Sequence, residues 1–225
     1  MPSLTMLSAD IAAVGALGTA AFGLVDAFKA LPGGGISRAG FKFIRQIIVT
    51  LTPPDSGIDA GGLSRESVLN TLNAHWINGA DEGSQLAIAK SLIKLRLTPT
   101  TAPGLAAATG VSAPVLTQVA TNIADGTPLT TQQTDAYGRF DLMLSTLLDQ
   151  AYQRADQRYR NTAKTAAIPV SIALALVAAW VMPPNTISLS QAALLGLIAT
   201  PVAPIAKDIA SAVSTGAQAL QTLKG

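Results

Sequence analysis

The chain contains no cysteine, one histidine, and charged residues at only 12% of its 225 positions. Without cysteine there is no disulfide framework, thiolate nucleophile or thiolate metal site. With one histidine, His75, and no carboxylates at ligand spacing around it, a His-based metal centre or catalytic relay cannot be assembled, so His75 reads as a structural residue. The sequence also lacks a phosphate-binding loop, a dinucleotide glycine fingerprint after a strand, GxSxG, HExxH and an EF-hand loop. An enzyme is therefore not expected, and no cofactor, metal or small-molecule substrate is implied. The net charge of +2 is too small to suggest nucleic-acid binding from bulk electrostatics.

What the chain has is apolar length. Hydrophobic residues make up 49% and aromatics only 4%, a bias toward Ala, Leu, Val and Ile that favours helices packed through small side chains. The fold class expected is all-α: a polytopic membrane protein with about three transmembrane helices and a helical cytoplasmic region. Between Lys164 and Lys207 lie 42 residues without a charge, interrupted by "MPPN". Thr165–Met182 and Ile187–Ala206 would each be roughly 27–30 Å long as helices, one hydrocarbon thickness. Proline removes a backbone donor and disfavours helix in the residue before it, so Pro183, Pro184 and Asn185 are expected to form the turn of a membrane hairpin. Trp180 would lie at headgroup level beside it. Pro169, Pro201 and Pro204 are expected to bend or terminate the helices at their other ends.

"IAAVGALGTAAFGLV", residues 11–25, is short for a span; extension to Leu31 brings it to about 30 Å and lets Lys29 reach the interface. Ala12, Ala16 and Ala20 recur every four residues, with Gly15 and Gly23 close by, a small-residue face of the type by which membrane helices pack. "MPSLTMLSAD" lacks the basic start of a secretory signal. With Lys29 counted at the inner interface, all fifteen Lys and Arg fall on the side shared by residues 32–164 and the tail 207–225, which places that side in the cytoplasm and the N-terminus outside. Asp26, an ionisable group close to lipid, is either a boundary residue or a functional intramembrane group.

In the middle region, "SRAGFKFIRQIIVTL" places Phe41, Ile44, Ile47, Ile48 and Leu51 on one face and Arg38, Lys42 and Arg45 on another. Such a helix either lies on anionic headgroups or packs into a core with a solvated basic face. Residues 52–62 read as a loop, followed by helices at about 64–77 and 81–97. "GLAAATGVSAPVLTQVATN", residues 104–122, resembles the helix-turn-helix of bacterial repressors, with Val115 and Val119 facing inward. Its would-be reading helix has no Arg or Lys to hold phosphates, so no nucleic-acid partner is expected and a packed helical hairpin is the better reading.

Thr130 and Gln133 have capping-box spacing, and a long helix should begin there, with Phe140, Leu144, Leu147, Leu148, Ala151 and Ala155 on one stripe. Its acidic residues give way to Arg154, Arg158, Arg160 and Lys164, a juxtamembrane basic anchor. "FDLMLSTLLDQAYQRADQRYRNTAK", Phe140–Lys164, followed at once by an apolar span, resembles the juxtamembrane helix of bacterial inner-membrane proteins that carry an early span, a helical cytoplasmic region and a C-terminal membrane hairpin. That resemblance covers mainly residues 140–182 and implies a bacterial inner-membrane location; it carries over no activity and no functional residue. The membrane-interface set is thus Lys29, Arg38, Lys42, Arg45, Arg158, Arg160, Lys164, Trp180 and Lys207. The function expected is a membrane anchor, scaffold or accessory subunit with membrane lipid and a protein partner or second copy as its contacts. The alternatives are an oligomeric channel or transport component and a membrane-tethered helix-turn-helix regulator.

Overall fold

The computed structural model describes residues 4–28, 35–52, 63–183 and 187–222, and among these it is all-helical. Eight helices follow in order: α1 Leu4–Ala27, α2 Ser37–Leu51, α3 Arg65–Ile77, α4 Glu82–Leu95, α5 Ala102–Thr109, α6 Ala113–Asp125, α7 Thr131–Val181 and α8 Leu189–Thr222. They form two compact units, one of Ser37–Tyr159 and one of Met1–Ile36 with Arg160–Gly225.

Local chemistry sets the helix starts. Ser64 Oγ accepts from Ser67 N at 3.0 Å, and Asp81 Oδ1 from Ser84 N at 2.8 Å. Hydrogen bonds from Ser84 hold the Asp81 carboxyl below its ordinary pKa. The capping box that begins α7 is reciprocal: Gln133 N donates to Thr130 Oγ1 at 3.3 Å, and Thr130 N to Gln133 Oε1 at 2.9 Å. Ser188 and Gln191 form the same box at the start of α8, at 3.2 and 3.0 Å. Each box satisfies amide groups that a bare helix start leaves open. At the other ends, Gly110 and Gly126 cap α5 and α6 with φ of 71° and 68°, a left-handed conformation that glycine adopts at no steric cost.

In the Ser37–Tyr159 unit, α2 to α6 and the first part of α7 enclose one core. Ile44, Ile48 and Leu51 of α2 meet Val68 and Leu72 of α3, Ile93 of α4, and Phe140, Leu144 and Leu148 of α7, all fully buried. The α2 backbone approaches α7 closely at Gly40, where an added Cβ would lie 2.6 Å from both Ala155 O and Trp76 Cζ2. Trp76 is fixed there by a 3.0 Å bond from Nε1 to Ser37 O and an edge-on contact with Tyr159. Asp141 of α7 pairs with Lys90 of α4 at 2.6 Å and with Lys94.

The other unit holds the apolar helices. Ala9–Ala27, part of α7 and Leu189–Ala206 are long and apolar enough to cross a membrane, and only 22%, 17% and 28% of their most apolar stretches is buried within the protein. Val177, Trp180, Leu194, Leu197 and Ile205 face outward. The helices meet through small residues. A Cβ at Gly15 would overlap Ala206, and one at Gly18 would overlap the Ala199 carbonyl and Ala203 of α8. One at Gly196 of α8 would lie 2.5 Å from Ile172 Cα of α7. Beside that contact, Ser171 Oγ donates to Gly196 O at 2.6 Å and lies 3.0 Å from Thr200 Oγ1. Ala21 and Val25 of α1 pack with Ala167 of α7.

One expectation is corrected here. The contact face of α1 is Gly15, Gly18, Ala21 and Val25, while Ala12, Ala16 and Ala20 are exposed: glycine admits a closer backbone than alanine, and a face is chosen by its closest approach. Of the two outcomes expected for Pro169, Pro201 and Pro204, termination does not occur: all three are exposed and lie inside the continuous helices α7 and α8. The helix that begins at Leu189 runs past Lys207 to Thr222, while its stretch apolar enough to cross a membrane ends at Ala206. Lys29, Pro184 and Asn185 lie outside the described residues. Around the expected turn, α7 ends at Val181 and α8 starts at Leu189, so the helix does break there.

Candidate functional site

α2 turns its apolar face into the protein core. Ile44, Ile48 and Leu51 are fully enclosed in the protein core and have no surface left for lipid. The opposite face carries Arg38, Lys42 and Arg45 at i, i+4 and i+7, which share one side of a helix. This face forms one wall of an open groove of about 740 Å³ whose other wall is α3, contributing Arg65, Glu66, Leu69, Asn70 and Asn73. Phe41 and Leu69, both half-buried, line it as well.

Arg65 is fixed in position. Its Nε donates to Thr52 O at 2.8 Å, and its Nη2 donates to the same oxygen. Thr52 directly follows α2, whose last carbonyls have no helical partner, and a guanidinium there satisfies an acceptor and complements the negative end of the helix. Lys42 Nζ lies 5.1 Å from the centre of the Phe43 ring. Among the described residues, Arg38, Lys42 and Arg45 form no ion pair with a carboxylate, and Glu66 on the rim is paired with none of them.

A second groove, of about 840 Å³, opens between the α5–α6 turn and the start of α7, lined by Val111, Val115, Leu142 and Met143 with Asp135 and Arg139 at its polar edge. Leu142 is 67% exposed and Met143 41%, which is unusual for neighbouring large apolar residues in a helix that buries its other face. The α5–α6 pair is the segment that resembles a helix-turn-helix. Val119 faces inward as expected and Val115 is half-buried, while Pro114, Gln118 and Thr121 are exposed, with no cation among them.

The remaining expected residues are dispersed. Arg158, Arg160 and Lys164 are exposed on α7, and Lys164 borders a hollow of about 600 Å³ between Phe22 of α1, Ile168 of α7, and Pro201 and Pro204 of α8. Trp180 is 84% exposed at the end of α7. Asp26 is exposed in the last turn of α1, and Lys207 lies within α8. Pro183, two residues past α7, is exposed.

His75 is half-buried on α3, and among the described residues no three His, Asp or Glu side chains converge as a metal site would require. The Asp141 cluster ties helices together: burial pushes its carboxyl up, but hydrogen bonds from Lys90 and Lys94 outweigh this and hold it below the ordinary value.

Sequence reasoning missed the contribution of α3 to the basic groove and the whole of the apolar groove. Arg65 and Asn70 are 27 and 25 residues from Arg38 and Arg45 in the chain, and only the crossing of α2 over α3 brings them together. Leu142 and Met143 could have been found, because they fall off the stripe of Phe140, Leu144 and Leu148. No protein-family model, no curated protein and no solved structure matches the chain.

Proposed function

We propose that the chain is an integral membrane anchor or scaffold of the bacterial inner membrane, with its N-terminus outside, the 37–159 unit in the cytoplasm, and that unit serving as a docking module for a protein partner. The observation that carries this is the outward orientation of the apolar helices: they meet one another through glycine and alanine and leave their large side chains facing away from the protein. In water, such a surface would be an aggregation site; in lipid it is solvated. The sidedness follows from the distribution of Lys and Arg. Docking is supported by the groove at Leu142 and Met143, an apolar strip with a charged edge of the kind that takes an amphipathic helix.

Because the chain has no cysteine, single cysteines can be placed without background. Asn185→Cys in intact cells is expected to react with a membrane-impermeant maleimide, and Ser67→Cys only after the membrane is opened. Reversed labelling overturns the orientation, and full-length protein that stays monodisperse in buffer without detergent overturns the membrane assignment.

A further inference from the structure

We infer that the groove between α2 and α3 binds a phosphate group, and that the acidic headgroup of a phospholipid is its source. Among the described residues, four cationic side chains from two helices and one carboxylate, Glu66, line the groove, and Asn70 and Asn73 add amide donors on the α3 wall. Arg38 and Lys42 are one helical turn apart, as are Lys42 and Arg45, so they repel each other, and among the described residues no carboxylate forms an ion pair with them. A solvated helix face would ordinarily intersperse acids among them; this one does not, and its apolar side is already buried in the core. A phosphate has the charge and the acceptor oxygens that convert this repulsion into attraction, and arginine binds it in a forked geometry. Arg65, held by Thr52, is positioned before any ligand arrives.

Lipid is favoured over soluble phosphate by the chain itself. Arg38 follows the last residue of α1 by eleven positions, and that much chain reaches at most about 40 Å. The groove is thereby tethered to a helix that has the length and composition to cross a bilayer. This choice of source rests on the membrane reading; the phosphate chemistry does not.

The test uses full-length protein in a neutral detergent and native mass spectrometry, with phosphatidylglycerol, phosphatidylcholine or inorganic phosphate as the probe. Phosphatidylglycerol should be retained in preference to phosphatidylcholine. Replacing Arg38, Lys42 and Arg45 together by glutamine should weaken that retention by on the order of a hundredfold at low salt, from about 1 kcal/mol per cation. A control with the same change of net charge away from the groove, Gln118, Gln132 and Gln150 to glutamate, all exposed, should leave it unchanged, and Arg38→Lys with Arg45→Lys should retain most of it. Equal loss in both triple variants, or no loss in the groove variant, overturns the site. Inorganic phosphate that displaces phosphatidylglycerol at equal concentration overturns the lipid source. A protein that needs no detergent would instead refute the membrane reading, a result separable from failure of the groove.

Discussion

Replacing Gly40 by alanine should destabilise the 37–159 unit, while the same change at Gly138 should stabilise it. Both glycines are helical, in α2 and α7, and both gain about 1 kcal/mol of helix propensity as alanine. At Gly138 a new Cβ meets nothing within 4 Å, so the gain stands alone. At Gly40 the Cβ would be 2.6 Å from Ala155 O and Trp76 Cζ2 and 3.3 Å from Ala155 C, whereas carbon contacts are comfortable at about 3.5–4.0 Å. The Ala155 oxygen belongs to a helical backbone and cannot turn aside, and Trp76 is held by its bond to Ser37 O. α2 must therefore withdraw from α7, an overpacking cost of about 1–3 kcal/mol. The propensity gain cancels between the two variants, so the difference in stability between them measures the contact alone. Trp76 and Trp180 are the only tryptophans; in a Trp180→Phe background, Trp76 fluorescence reports the melting of this unit. Gly40→Ala should melt several degrees below Gly138→Ala. Equal melting points, or Gly40→Ala the higher, would refute the close crossing of α2 and α7.

Four further outcomes follow from the same structure. Asp141 is held below its ordinary value of 3.8, so its contribution to stability is present above that pH and lost as pH falls through its folded value. For Lys94, burial lowers the pKa, but the Asp141 hydrogen bond and the attraction of Tyr137 and Asp141 outweigh it and raise it above 10.5; its contribution is present below that pH and lost as pH rises through the folded value. Asp141→Asn should flatten the acid limb of a melting-temperature profile, and an unchanged limb would exclude the pair as its cause. Tyr152 is 1% exposed and its hydroxyl has no hydrogen-bond partner among the described residues, so Tyr152→Phe should be neutral or stabilising by about 1 kcal/mol in chemical denaturation; a large loss would reveal a partner. Ser171→Ala removes the bonds to Gly196 O and Thr200 Oγ1 and should cost about 0.6–1.7 kcal/mol, measured by unfolding in mixed micelles. Leu142→Glu, at a 67% exposed site, should leave the melting temperature within about 1 °C yet abolish stoichiometric co-purification of a partner in mild detergent; persistence of the partner would move docking away from that groove.

Elements whose cause is local could be read from the sequence. The Thr130–Gln133 box, the helix starts near 64 and 81, and the break after Val181 depend on residues within a few positions of one another. The stripe Phe140, Leu144 and Leu148 was legible for the same reason. What escaped depends on contact across the chain. Either set of small residues on α1 was available for packing, and the selection of Gly15 and Gly18 required Ala199, Ala203 and Ala206 of α8 to decide. Arg96 is the clearest case: nothing in its local sequence marks it for burial, yet it is 1% exposed, with Nη1 donating to Leu63 O at 2.7 Å. In the candidate site, the three cations of α2 were legible from their spacing, but the facing wall of α3 was not. The depth of a groove is set by the angle at which two helices cross, and no run of residues encodes that by itself.

The partnership of α1 with α8 also has a consequence in time. Gly15 emerges from the ribosome roughly 180 residues before Ala199, which at about 5–20 residues per second is a delay of roughly 10–40 s. Throughout that interval the notch at Gly15 and Gly18 has no mate, so any other helix with an alanine ridge can occupy it. α8 must then displace any such visitor, so α1 reaches its final contacts only after α2 to α7 have been made.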